Sequence, residues 1–238
     1  MPSLLITRPV EDAGPLADRL AEMGIGTVIS PLIDVIPVPG PEIDTRGLTG
    51  FLVTSANGAR ALAARTNRRD IPVHAVGAAS AEAARSLGFE AVTSADGDVE
   101  TLAAHVAAIR KPSEGPFLHA AGSVTAGNLA GALGALGFDV QVERLYEAVP
   151  RETLPEAARA ALADGAVDGV ILYSPRTAQI FDRLTAGAGL AERLRTLQLF
   201  ALSQNVSKAS AAQWAKRHIA SAPDQESLLQ AVRSCYAS

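Results

Sequence analysis

Two serine residues stand where an α/β protein can do chemistry. Ser55 lies in VTSANGA (Val53–Ala59) and Ser174 in LYSPRTA (Leu172–Ala178), each between a short apolar run and a helical segment. A serine at such a junction caps the helix. The same junction offers unpaired N–H groups and a partial positive charge to anions, outside the carboxyl ends of the strands. Capping alone and capping with ligand binding both fit these residues.

Two further strand-to-helix junctions carry small residues. Ser80 follows Gly77 in AVGAASA, and Gly122 ends FLHAAG. Glycine allows a close approach of the backbone to a ligand, and Ser80 can cap the helix or contact a ligand. His119, within FLHAAG, is interpreted as a packed or surface histidine.

Tyr146 is the candidate proton donor. It follows a predicted strand, Val140–Leu145, at the point where we expect the chain to return to another domain. A phenol at a hinge can donate a proton or a hydrogen bond to a leaving oxygen. An ordinary, half-buried tyrosine at a strand end is the alternative.

Several classes of site are not indicated. The four histidines and the single Cys235 show no close metal-ligand spacing, and no dinucleotide, P-loop or nucleophile-elbow motif is present. The sequence therefore indicates no metal site and no nucleotide-cofactor motif. The net charge of -4 argues against a nucleic-acid binder. The lone cysteine, the lack of a signal-peptide pattern and the lack of a long apolar segment predict a cytoplasmic protein without a membrane span.

Apolar runs of strand length alternate with Ala-rich segments, which predicts βαβ units and parallel sheets. Gly24, Gly88 and Gly137 each stand where a left-handed residue can end a helix. Gly131–Gly137 is interpreted as a helix with a small packing face, and Trp214 as a packing residue in a helical stretch. The strand candidates are 4–6, 27–29, 51–53, 73–76, 117–118, 140–142, 170–172 and 199–202.

The sequence also contains a weak internal repeat. Gly50–Ser55 is similar to Gly169–Ser174, 119 residues later. Two further matches lie downstream at offsets of 126 and 127, and the opening β-α-β with Gly24 matches the segment around Gly137 at an offset of 113. Four ordered matches indicate two copies of one unit of ordinary domain size.

Two Pro-containing segments, Pro31–Pro41 and Arg144–Pro155, are candidate linkers. Their spacing favours an inserted domain: domain 1 over 1–35 and 151–238, domain 2 over 41–145, and linkers at about 36–40 and 146–150. Two sequential domains divided near residue 113 are the alternative. The predicted fold class is α/β, with two similar parallel-sheet domains and the second inserted in the first.

Together these motifs resemble the uroporphyrinogen-III synthase family. The resemblance is carried by LLITRP at the N-terminus, by VTSANGA, AVGAASA and LYSPRTA, and by GDVETL (Gly97–Leu102), Gly122 and ERLYEA around Tyr146. It spans nearly the whole chain, and its specificity comes from the order and spacing of short motifs.

The resemblance implies two α/β domains joined by a two-stranded linker, with the site in a cleft between them. It implies a cofactor-free enzyme, expected to be a monomer, that dehydrates hydroxymethylbilane and closes it with inversion of the last pyrrole ring. Tyr146 would assist departure of the hydroxyl group, and Ser55, Ser80, Gly122 and Ser174 would hold substrate carboxylates.

One turn departs from the family pattern Gly-x-x-Thr-Ala. It reads Ser203–Ser207 here, with Val206 in place of the hydroxyl residue. Either Asn205 or Ser207 is then expected to make the substrate contact, or this loop binds the substrate differently. The alternative function is a non-catalytic, two-lobed binding protein for a small anion, because fold alone does not decide between the two.

Overall fold

The computed structural model describes residues 1–124 and 127–236. Within them the chain divides into two compact units: unit 1 comprises Met1–Asp34 and Val149–Ser238, and unit 2 comprises Val35–Ala148. In chain order the elements are β1 (Ser3–Ile6), α1 (Val10–Glu22), β2 (Gly26–Ile29), β3 (Ile33–Pro37), β4 (Gly50–Val53), α2 (Ala56–Arg65), β5 (Val73–Ala75), α3 (Ala78–Ser86), β6 (Val92–Ser94), α4 (Val99–Ile109), β7 (Phe117–Gly122), α5 (Leu129–Ala135), β8 (Val140–Pro150), α6 (Glu156–Ala163), β9 (Gly169–Leu172), α7 (Pro175–Gly187), β10 (Gln198–Ala201), α8 (Gln204–Ala209), β11 (Lys216–Ile219) and α9 (Gln225–Tyr236).

Each unit is built on a parallel sheet. The sheet of unit 1 has the order β11-β10-β9-β1-β2, and the other sheet has the order β3-β8-β7-β4-β5-β6. The strands pair in parallel throughout the first sheet, and they do so in the second sheet from β8 to β6. The α/β class with parallel sheets is therefore confirmed.

Successive side chains along each strand point to opposite faces of the sheet. In unit 1, Leu5 and Val170 pack in one buried cluster, whereas Leu4 and Ile171 pack in another. In unit 2, Phe51 and Leu52 divide in the same way. Because both faces are covered, the central strands are nearly continuous apolar runs, as parallel sheets require.

The predicted repeat corresponds to matching sheet positions. The order β2-β1-β9-β10-β11 in unit 1 matches β8-β7-β4-β5-β6 in unit 2. The first sequence copy therefore contributes β1 and β2 to one unit and β4 to β6 to the other. Each unit combines the opening strand pair of one copy with the last three strands of the other.

This topology fixes where ligands can bind in each unit. In unit 1 the chain runs outward from β1 to β2 and later returns to β9, on the other side of β1. In unit 2 it runs from β4 outward to β6 and returns to β7, on the other side of β4. Open α/β sheets bind ligands at such switch points, outside the carboxyl ends of the two strands.

All eight strand candidates form strands, and Gly24, Gly88 and Gly137 have φ values of 72°, 88° and 88° at helix ends, as predicted. The predicted linker Pro31–Pro41 contains strand β3. Two details of the prediction are wrong: the strand predicted over Val140–Leu145 continues to Pro150, and Trp214 lies outside any helix. Trp214 does pack as predicted, with its ring stacked on Phe181 at 5.9 Å.

Candidate functional site

The switch point of unit 2 brings Ser55 and Tyr146 together. Ser55 follows β4 and caps α2, accepting a hydrogen bond from the Gly58 N–H at 3.0 Å. Tyr146 lies inside β8, and its hydroxyl is 2.8 Å from Ser55 Oγ. The phenol is 7 % exposed. A proton donor and a helix cap, 91 residues apart in sequence, thus form one hydrogen-bonded pair.

Gly122 makes room for this pair. It ends β7 and pairs with Tyr146 across a register shift between Ala121 and Gly122. A Cβ atom added at Gly122 would lie 2.5 Å from Tyr146 Cζ and 2.8 Å from the hydroxyl oxygen. The absence of a side chain, rather than a left-handed backbone, is what this position requires.

Gly58 makes room for the start of α2. A Cβ atom there would lie 2.8 Å from the carbonyl oxygen of Ala120 in β7. The first turn of α2 therefore packs directly against β7, which fixes the position of Ser55 relative to the strand that ends at Gly122. The sequence analysis missed Gly58, although its position three residues after a capping serine is a usable signal.

Ser80 lies at the same edge of unit 2 but does not cap its helix, contrary to one of its two predicted roles. Gly77 is the N-cap residue of α3, and Ser80 lies within the first turn, 5 % exposed. Because β5 neighbours β4 and all these strands are parallel, Ser80 stays on the edge that carries Ser55.

His119 lies inside β7 and is 4 % exposed, which agrees with its interpretation as a packed histidine. Its Nε2 is 3.4 Å from the hydroxyl of Thr54, and burial lowers the pKa of the imidazole. A neutral, packed ring of this kind supports the sheet rather than the chemistry.

The switch point of unit 1 has the same serine cap with a different partner. Ser174 follows β9 and caps α7, accepting from the Thr177 N–H at 3.1 Å. Its hydroxyl is 2.8 Å from the hydroxyl of Thr177. The capping predictions for Ser55 and Ser174 are thus both confirmed.

An aromatic and a cationic side chain flank Ser174. The Arg8 guanidinium, at the end of β1, lies 4.2 Å from the centre of the Tyr173 ring and forms an ion pair with Asp12 at 3.2 Å. Burial raises the pKa of the Tyr173 phenol, so Tyr173 stays neutral. Arg8 places a positive charge at this switch point, where a carboxylate is the expected ligand.

In the atypical turn after β10, the two candidate residues Asn205 and Ser207 differ in exposure. Ser203 caps α8, and Val206 enters the core of unit 1. Asn205 is exposed. Ser207 is 3 % exposed, and the Arg217 guanidinium bonds its carbonyl oxygen and approaches its hydroxyl at 3.4 Å. This geometry favours Asn205 and does not support the predicted substrate contact of Ser207.

Residues 1–124 and 127–236 show neither a metal-binding cluster nor a membrane-spanning helix. No group of three or more His, Cys, Asp or Glu side chains there is arranged to hold a metal ion. No helix over 1–124 or 127–236 is both long and apolar enough to cross a membrane.

Comparison with known proteins gives one family. The family model described as Uroporphyrinogen-III synthase HemD matches residues 14–230. A uroporphyrinogen-III synthase of Chlorobaculum parvum is 26 % identical over 201 residues, covering 76 % of this chain and 78 % of that protein.

Solved structures agree on the fold. A uroporphyrinogen-III synthetase of Helicobacter pylori has a TM-score of 0.63 at 14 % identity, covering 99 % of this chain and 100 % of that one. A mutant uroporphyrinogen III synthase of Thermus thermophilus has a TM-score of 0.56 at 17 % identity, covering 100 % of this chain and 99 % of that one.

Proposed function

Since the chain belongs to the uroporphyrinogen-III synthase family, we propose that it catalyses the cyclising dehydration of hydroxymethylbilane with inversion of the last pyrrole ring. Loss of water with ring closure makes the enzyme a hydro-lyase. The observation that carries the proposal is the hydrogen-bonded pair of Ser55 and Tyr146 at the switch point of unit 2. A phenol held beside the carboxyl ends of β4 and β7 is a suitable proton donor for a leaving hydroxyl group.

In the first step, the C–O bond of the terminal hydroxymethyl group breaks while Tyr146 gives its proton to the departing oxygen. The products are water, a phenolate and a cationic azafulvene, whose charge is stabilised by the electron pair of the pyrrole nitrogen. The substituted carbon of the last pyrrole then attacks the azafulvene methylene, with the electron pair of that pyrrole forming the new C–C bond, to give a spiro intermediate. Fragmentation and reclosure invert that ring, and the proton released as the pyrrole regains aromaticity restores the phenol.

The carboxylates of the substrate need binding groups besides the acid. Ser174 stands with Arg8 at the switch point of unit 1, and Asn205 lies exposed after the neighbouring strand β10. The helix that Ser174 caps is 13 residues long, so its positive end favours a carboxylate. We assign Ser174, Asn205 and Arg8 to carboxylate binding in unit 1, and Ser80 to the same role in unit 2.

We also propose that domain 2 is inserted in domain 1 through a two-stranded linker, and that the protein is a cytoplasmic monomer that needs no cofactor. The Pro-containing segments and their spacing support the inserted domain, and the charge of -4 supports the absence of a nucleic-acid partner.

The direct test is turnover of hydroxymethylbilane by the purified protein, with separation of the product isomers. Without an enzyme the bilane closes to the symmetric type I isomer, so the type III isomer reports catalysis. We expect type III product in proportion to protein concentration. Formation of type I product alone would reject the proposal, and ligand binding without any turnover would favour the two-lobed binding protein.

A further inference from the structure

Ser55 makes a second hydrogen bond in addition to the one with the Tyr146 phenol. Ser55 Oγ accepts the Gly58 N–H at 3.0 Å and lies 2.8 Å from the hydroxyl of Tyr146. The N–H belongs to the first turn of α2, a helix of 10 residues. A continuous path therefore runs from the positive end of a helix through a serine hydroxyl to the proposed acid.

The direction of the bond between Ser55 and Tyr146 has a chemical consequence. Ser55 has one proton to give, and its oxygen already accepts the Gly58 N–H. If the serine proton points to the phenolic oxygen, the proton of Tyr146 stays available to the leaving group. If the phenol instead donated to Ser55, its proton would be directed away from the substrate.

We propose that Ser55 is a positioning residue for Tyr146, donating its hydroxyl proton to the phenolic oxygen and directing the phenol's own proton toward the departing hydroxyl. This inference rests on the proposed function. It replaces the predicted role of Ser55 as a direct contact of a substrate carboxylate.

The arrangement also stabilises the product of proton transfer. When the phenol loses its proton, negative charge develops on the oxygen that accepts from Ser55. A hydrogen bond to a charged oxygen is stronger than one to a neutral oxygen, and the helix end behind Ser55 adds to the effect. The bond therefore strengthens as the reaction proceeds, so its loss is expected in kcat rather than in KM.

Space is provided by the two glycines already described. Gly122 leaves room for the phenol ring, and Gly58 lets the helix start reach β7. Neither contact involves the substrate. The position of the phenolic oxygen is therefore set within unit 2 before substrate binds.

The experiment is a double-mutant cycle on Ser55 and Tyr146, with full-length protein and hydroxymethylbilane. We expect Ser55→Ala to lower kcat about 10-fold with KM within about 2-fold, as for loss of a charge-assisted hydrogen bond. Ser55→Thr keeps a hydroxyl and is expected to restore most of the rate. In the Tyr146→Phe background, Ser55→Ala is expected to cost almost nothing more, because the two residues act as one unit.

Asp98→Ala is the matched control for helix capping. Asp98 caps α4 in the same unit by accepting from the Thr101 N–H at 2.9 Å, without a phenol partner. We expect Asp98→Ala and Ser55→Ala to lower the midpoint of thermal unfolding similarly, but only Ser55→Ala to lower kcat.

Three results would overturn the inference. They are additive losses in the double variant, a change in KM alone for Ser55→Ala, and a loss of kcat in Asp98→Ala equal to that in Ser55→Ala. Each presupposes type III product from the wild-type protein. Absence of that product would reject the proposed function itself, so the two failures are distinguishable.

Discussion

The switch points of units 1 and 2 share a serine cap and differ in what its hydroxyl contacts. Ser174 in unit 1 contacts Thr177, within its own helix. In unit 2 the residue equivalent to Thr177 is Gly58, which has no hydroxyl, and Ser55 contacts Tyr146 instead. Replacing one hydroxyl by a glycine frees the capping serine for a partner from another strand.

The position that matches Tyr146 in the repeat does not hold a tyrosine in unit 1. Ile29 in β2 and Val142 in β8 occupy matching positions, 113 residues apart. The residue 113 positions before Tyr146 is Ile33, which packs against the core of unit 1. The repeat has thus kept the serine cap in both units, whereas the proposed proton donor occurs in unit 2, and on this basis we propose chemistry in unit 2 and binding in unit 1.

The largest expected difference between the units is in acid stability. Unit 2 buries His74 and His119, where the matching positions in unit 1 hold Phe200 and Ile6. Burial lowers the pKa of His74 from 6.5 to about 4 and also lowers the pKa of His119. The unfolded chain therefore takes up protons below about pH 6.5, whereas the folded protein binds them at these two rings only at lower pH.

Unit 2 is therefore expected to lose stability as the pH falls from 6.5 to 4, by up to roughly 3 kcal/mol for His74 alone. The measurement is hydrogen-exchange protection of β4 and β5 against β9 and β10, at pH 7 and pH 4.5. His218, partly buried on the edge strand β11, also has a lowered pKa, so unit 1 keeps a smaller dependence. His74→Phe, which installs the residue of unit 1, should reduce the loss; equal losses in both units would contradict the account.

The next largest effect is expected for Gly122→Ala. The added methyl group would overlap the Tyr146 ring, so the phenol must move away from Ser55. We expect kcat to fall about 10-fold or more, the lower end for loss of a general acid. Steady-state turnover of hydroxymethylbilane measures the effect, and an unchanged kcat would show that the slot at Gly122 does not place the phenol.

Ser174→Ala is expected to have a smaller effect and in a different parameter. Because unit 1 is assigned to binding, KM should rise about 2- to 10-fold, as for loss of one hydrogen bond, with kcat little changed. A fall in kcat that matches the Ser55→Ala value would remove the division of roles between the units.

The smallest effect is expected for Gly134→Ala, the control for Gly122→Ala. Gly134 lies in α5 of unit 2, and an added Cβ would meet no atom within 4 Å. The substitution should raise the free energy of unfolding by about 0.5–1 kcal/mol through helix propensity and leave turnover unchanged. Urea unfolding measures the gain; a loss of turnover would mean that activity responds to any added methyl group in this unit.

Much of the fold was predictable because buried parallel strands are apolar runs and helix ends carry glycine. The strands that escaped prediction lack that pattern. β11 (KRHI) is charged and β3 contains Pro37, as edge strands tolerate, and β6 (VTS) has only one apolar residue. Tyr146 was predicted at a strand end because neither the continuation of β8 to Pro150 nor the register shift beside Gly122 leaves a sequence signature.

The candidate site was predicted residue by residue, but not its contacts. Three site residues, Ser55, Gly122 and Tyr146, were identified from separate junctions. They lie close together because β7 pairs with both β4 and β8. The exchange of Thr177 for Gly58 was visible in the repeat, at the offset that matches Ser55 with Ser174. Its consequence, the contact of Ser55 with Tyr146, depends on the position of β8 and is visible only in the structure.

The central claim is that the Tyr146 phenol of unit 2 protonates the leaving hydroxyl group. Tyr146→Phe removes that proton and keeps the ring, and Tyr236→Phe, in α9 of unit 1, is the control for loss of a phenolic hydroxyl elsewhere. In single-turnover assays with saturating enzyme, the account predicts at least about a 10-fold slower formation of type III product for Tyr146→Phe and an unchanged rate for Tyr236→Phe. A Tyr146→Phe protein that forms type III product at the wild-type rate would contradict it.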